Sequence, residues 1–157
     1  MNKHQHVAII HKQNDRGVIR TVRAAVQGDG LLGSIINLSS IAARRTHPEL
    51  MAYSVASAAL DQATRSLAVA LAPHRIRVNS IAFGSVMSAS MRDTLKENRS
   101  FRQDIEAHTP LGRVASPTEL TETAQYLASD ASGFMTGQVV TLDGGRTLLD
   151  PVSAPMH

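Results

Sequence analysis

Apolar residues recur in two rhythms along this chain of 157 residues. Ser34 to Leu38 is a short apolar run bounded by a glycine and two serines, the pattern of a buried strand. Arg75 to Ala82 reads as a second strand with Ile76 and Val78 on one face, and Gly137 to Leu142 as a last one. Between the first two, Leu50 to Ala72 has the length and alanine content of a long helix, which Pro73 ends. Val18, Ile19, Val22, Ala25 and Val26 fall at helical spacing and predict a helix over 14 to 27, with Asn14 or Asp15 as its cap. Gly28, Gly30 and Gly33 end it. Residues 89 to 109 mix charges with Met91, Leu95, Phe101 and Ile105 as one or two short helices. Ser116-Pro117-Thr118-Glu119 carries a complete start signal: a capping serine, proline at the first helical position, and glutamate to close a capping box. That helix runs to about Ser129 with Leu120, Ala124, Leu127 and Ala128 inward.

Composition narrows the class. With 43% hydrophobic and 18% charged residues the chain reads as a globular domain. Cysteine is absent, which removes disulfides and thiolate zinc sites, and a reducing cytoplasm is the expected setting. No stretch approaches a membrane span, and the apolar segment near the start is too short for a secretory signal. The net charge of +3 comes from scattered residues; Arg44-Arg45 and Arg75-Arg77 lack interleaved aromatics, so no nucleic-acid partner is expected. His4, His6 and His11 flank the run Val7 to Ile10, but no third ligand is placed by any motif and no metal is assigned. Residues 1–13 are read as a poorly ordered leader, 14–150 as the domain, and 151–157 as a tail.

The chemistry gathers between Gly33 and Leu60, GSIINLSSIAARRTHPELMAYSVASAAL. Ser40 falls at the carboxyl end of a strand and Tyr53 early on the following helix, where α/β sheets place reactive groups. Spacing alone leaves open the plain reading, in which the two serines end a strand and Tyr53 is a half-buried helix residue. The stretch resembles the active-site segment of the short-chain dehydrogenase/reductase family, in which a serine precedes a Tyr-x-x-x-Lys motif by this interval. The resemblance continues through RIRVNSIAFG (75–84), PLGRVASPTELTETAQYLASDAS (110–132) and TGQVVTLDGG (136–145), in the family's order.

The resemblance implies an α/β fold: a partial, doubly wound (Rossmann-like) parallel sheet with flanking helices, of which only the second half is present. It implies NAD or NADP as cofactor and a small-molecule secondary alcohol or ketone as substrate. Tyr53 would act as general acid/base and Ser40 would bond the same oxygen. Gly84, Val86 and Ser88 stand where the family meets the nicotinamide, with Phe83 in place of a proline and Ser88 in place of a threonine. Asn14 resembles an asparagine that holds a water in the proton relay, a role it shares with that of helix cap. Residues 89–109 correspond to a lid over the substrate. The small residues of the 50–72 helix imply a homo-oligomer, though they equally suit packing on a sheet.

Two departures set limits. The motif lysine, which supplies a cation to a group that titrates near 10 when free and anchors the nicotinamide ribose, is replaced by Ser57. No glycine-rich turn follows a strand; GDGLLG (28–33) precedes one and is read as a loop. Weak or no cofactor binding is therefore expected of this chain alone. Three readings follow: an impaired, truncated oxidoreductase, a non-enzymatic dimerising or interaction module, or one part of a split enzyme. A hydrolase is excluded, since no G-x-S-x-G elbow is present.

Overall fold

The computed structural model describes residues 6–11, as backbone, and 33–150. Four parallel strands form one sheet in chain order: β1 (His6–His11), β2 (Gly33–Ser40), β3 (Ile76–Phe83) and β4 (Val139–Leu142). Parallel strands need long crossovers, and the helices supply them. The long one, α1 (Met51–Leu71), joins β2 to β3; α2 (Ala89–Glu97), α3 (Arg99–Ala107) and α4 (Pro117–Ala128) lie between β3 and β4.

Successive strand residues face opposite sides of the sheet, and the two faces bury different partners. On one face Ile35, Ile76 and Val78 pack with Ala68 and Leu71 of α1. On the other, Ile36 and Ile81 pack with Ala124 and Leu127 of α4. The predicted α/β class with flanking helices is therefore the fold observed, and the faces of β3 and α4 are those the periodicity assigns.

Residues 6–11, read from sequence as part of a leader, instead form β1. They pair in register with β2 from His6 against Gly33 to His11 against Leu38. Four consecutive apolar residues suit a parallel strand, but the backbone partner is distant in sequence. Strand β2 is longer than predicted at both ends: Ser39 and Ser40 continue the ladder against Ala82 and Phe83. The 14–27 helix, Asn14, residues 28–32 and the 151–157 tail lie outside the described residues.

Helix α4 begins as expected. Ser116 and Glu119 form both bonds of a capping box, and Arg113 forks onto Glu119 at 2.8 and 2.6 Å. That pairing with Arg113, followed by the Ser116 amide, lowers the Glu119 carboxyl to about 2. At its other end Arg77 donates to the carbonyls of Leu127 and Ser129, neutralising orphaned acceptors of the last turn. Burial lowers the Arg77 pKa, and Asp130 opposes that shift.

Candidate active site

Ser40 is the last residue of β2 and is buried; its Oγ accepts from the Ala42 amide at 3.2 Å, capping a short 3-10 turn over Ile41–Ala43. Tyr53 is the third residue of α1 and is 41% exposed. Strand and helix thus bring the serine and tyrosine to one cavity of about 740 Å³, whose lining also includes Gly84, Ser85, Arg45 and Arg146. The cavity lies beyond the carboxyl ends of β2 and β3, where open parallel sheets bind ligands.

Gly84 follows β3 directly, and its amide donates to the Leu142 carbonyl at 2.9 Å. A Cβ there would meet Asp143 Cβ at 3.1 Å and Asp143 Cα at 3.2 Å, so a side chain would push the β4 turn away. Asp143 organises that turn, accepting from the amides of Gly145 (2.9 Å) and Thr147 (2.8 Å). Burial pushes its carboxyl up, but the bonds from Thr147 and Gly145, with the charge of Arg146, together outweigh it and lower the pKa. Gly144 and Gly145 take left-handed φ values of 64° and 87°, which glycine adopts without strain.

The other sequence assignments separate. Ser57 is fully buried between α1 and β2, outside the lining of this cavity. Its Oγ donates to the Tyr53 carbonyl at 2.7 Å, and its own carbonyl accepts from Ser39 Oγ at 3.3 Å. Val86 pairs with Ala115, and Ser88 caps α2 through the Met91 amide at 3.1 Å; neither lines the cavity. Among the described residues no group of three or more His, Asp or Glu side chains suits a metal ion, and no helix is long and apolar enough to cross a membrane.

Arg45, weighed from sequence only as part of a basic pair, and Arg146 were not assigned to a site by sequence. Arg45 Nη2 donates to the carbonyls of Thr147 (2.5 Å) and Leu149 (2.8 Å), and Arg146 Nη1 to Ser85 Oγ at 3.2 Å. Residues far apart in the chain meet here because β4 returns beside β3, and no local motif announces that.

The Enoyl-(Acyl carrier protein) reductase family model matches residues 2–147. An uncharacterized oxidoreductase of Mycobacterium tuberculosis is 41% identical over 115 residues, 73% of this chain and 43% of the relative. The L-rhamnose 1-dehydrogenase (NAD(P)(+)) of a Sphingomonas species is 35% identical over 137 residues, 85% of this chain and 54% of the relative. The crystal structure of a short chain dehydrogenase family protein from Francisella tularensis superposes with a TM-score of 0.77 at 30% identity, covering 86% of this chain and 59% of that one. The chain spans about half the length of the curated relatives it matches.

Proposed function

The chain belongs to the short-chain dehydrogenase/reductase family, and from that premise we propose that it carries the substrate-oxygen half of an NAD(P)-dependent oxidoreductase acting on a secondary alcohol or ketone. The observation that carries this reading is the meeting of Ser40 and Tyr53 in one cavity with Gly84. The Ser40 hydroxyl donates a hydrogen bond to the substrate oxygen. The Tyr53 hydroxyl gives that oxygen a proton in reduction and takes it back in oxidation. A bound nicotinamide supplies or accepts the hydride at the attached carbon.

The residues fit the cofactor at one end only. Gly84 and Ser85 line the cavity beside Tyr53 and suit the nicotinamide end. At the ribose end, Ser57 offers an uncharged hydroxyl whose hydrogen is directed to the Tyr53 carbonyl. The chain as given therefore binds cofactor weakly and turns over slowly. Calorimetric titration with NADH and NADPH tests this: heats too small to fit below the millimolar range are expected, and micromolar affinity for either overturns the reading.

A second reading, as a dimerising or interaction module, draws on the outward face of α1. Met51, Val55 and Val69 are 71%, 65% and 78% exposed there, and small residues between them permit close approach of another backbone. The two readings are compatible, since the cavity opens at the amino end of the same helix.

A further inference from the structure

We infer that the cavity over Ser40 and Tyr53 receives a substrate bearing a carboxylate, held by Arg45 and Arg146; the inference rests on the reading of Ser40 and Tyr53 as the groups that hold the reacting oxygen. Both arginines line the cavity with that pair. They are neighbours: Arg45 bonds the carbonyl of Thr147, the residue directly after Arg146. Arg146 reaches Ser85, next to Gly84, and so stands on the side of the cavity formed by the end of β3.

What matters is how each guanidinium is satisfied. Arg45 is hydrogen-bonded to two backbone carbonyls and Arg146 to a hydroxyl, while the charge of Arg146 also acts on Asp143. Among the described residues neither forms an ion pair, whereas Arg102 and Arg113 both do. Guanidinium carries five donors, so each arginine keeps donors for a ligand after these bonds. The carboxylates nearby are largely committed. Asp104 lies 3.1 Å from His108, and Asp143 gives its oxygens to the amides of Gly145 and Thr147. Asp104, Asp150, His47 and His108 also line the cavity, so the two arginines share it with two carboxylates.

A planar fork of donors matches a carboxylate in two-point, charge-assisted contact. The shared lining lets one substrate place its carbinol at Ser40 and Tyr53 and its carboxylate at the arginines. The ligand class is a hydroxy or oxo acid.

The experiment measures binding to the full chain by NMR, with no cofactor and no turnover. Probes are 3-hydroxybutyrate, its neutral amide, butyrate and glycerol 3-phosphate. The carboxylate should bind about tenfold or more tighter than the amide, as expected when charged hydrogen bonds are lost. Arg45→Gln with Arg146→Gln should abolish that preference, and the paired lysine variants should keep part of it. Because Arg45 also holds the 147–149 segment, Arg146→Gln alone serves as a second variant and should weaken the preference without altering amide dispersion. Equal binding of acid and amide, no binding of either, tighter binding of the phosphate ester, or a preference that survives the glutamines overturns the inference. If butyrate binds as tightly as 3-hydroxybutyrate, the anion site stands while the assignment of Ser40 and Tyr53 to the substrate oxygen fails.

Discussion

Ser57→Lys, made in the chain and in a fusion that places a glycine-rich cofactor half from a relative in front of it, tests whether a cation at position 57 is what Tyr53 lacks. Side chains on a helix lean toward its amino end, so a side chain at 57 runs over the turn that carries Tyr53. The Ser57 hydroxyl already follows that course to the Tyr53 carbonyl. A lysine stem continues past it and brings the ammonium to the cavity, with its methylenes against the buried seam. Unit charges about 4 Å apart gain about 4 kcal/mol at an effective dielectric of about 20 and about 1 kcal/mol in water. Tyr53 is 41% exposed, which places the gain in the lower part of that range. About 1–2 kcal/mol in the transition state corresponds to about five- to thirtyfold in rate, and anchoring the ribose adds to it. The opposing term is the insertion of a long side chain at a fully buried site, which costs about 1–3 kcal/mol of stability.

The assay needs four proteins, with and without the added half and with and without the Ser57→Lys substitution. Hydride transfer is followed on a panel of secondary alcohols and ketones, with melting temperature measured alongside. The fused Ser57→Lys variant should exceed the fused parent at least fivefold while melting several degrees lower, and both unfused chains should turn over more slowly than either. Full activity in the fused parent, with Ser57 in place, would show that another group supplies the charge. A folded lysine variant with no gain would refute the assignment of Tyr53 as acid/base.

Acid should loosen the start of α4. With Glu119 lowered to about 2 against an unfolded value of about 4.3, its contribution is complete above 4.3 and disappears as pH falls toward 2. The stability gap between the parent and Glu119→Gln should therefore close across that window in urea melts; a gap independent of pH contradicts the capping role. Leu127→Ala empties a site buried between α4 and Ile36 and should cost about 2–5 kcal/mol in the same melts. The chain alone should self-associate through the exposed face of α1 or the sheet edge, so light scattering that reports a monomer at high concentration counts against that surface.

Elements defined by local chemistry were legible in the sequence. The capping box at Ser116 and Glu119 needs only four adjacent residues, and α1 is long enough for its alanine content and terminal proline to define it. That Ser40 and Tyr53 line one cavity was foreseeable because only a short connection with two 3-10 turns joins the end of the strand to the start of the helix. Strand β1 was missed because a parallel strand reveals itself through its partner, which follows more than twenty residues later. Ser88 was matched to a hydroxyl near nicotinamide, yet a serine just ahead of a helix is first a cap, and that local bond is the one observed. Arg146 stayed invisible, since its place in the cavity depends on the β3–β4 pairing and on the Asp143 turn.

Helix α1 meets the sheet in two unlike halves, and that bears on how Ser40 and Tyr53 work together. Near its carboxyl end Ala68 and Leu71 pack on Ile35, Ile76 and Val78. Toward its amino end the buried residues are Ser54, Ser57, Asp61 and Thr64, with Asn37 and Ser39 across from them. Asn37 Nδ2 donates to Thr64 Oγ1 at 2.8 Å, but among the described residues Asn37 Oδ1, Ser54 Oγ and Asp61 Oδ1 have no hydrogen-bond partner. Each such buried orphan costs about 1–3 kcal/mol. The apolar anchoring of α1 therefore lies at the end away from Tyr53, and the turn bearing Tyr53 rests on an imperfect polar seam. Segments with few apolar contacts open at lower free energy than the core. Ser40, by contrast, is fixed in the sheet ladder opposite Phe83. In the proposed function the pair joins one rigid group to one on the more easily displaced end of a helix, and a ligand bridging both would hold that end in place.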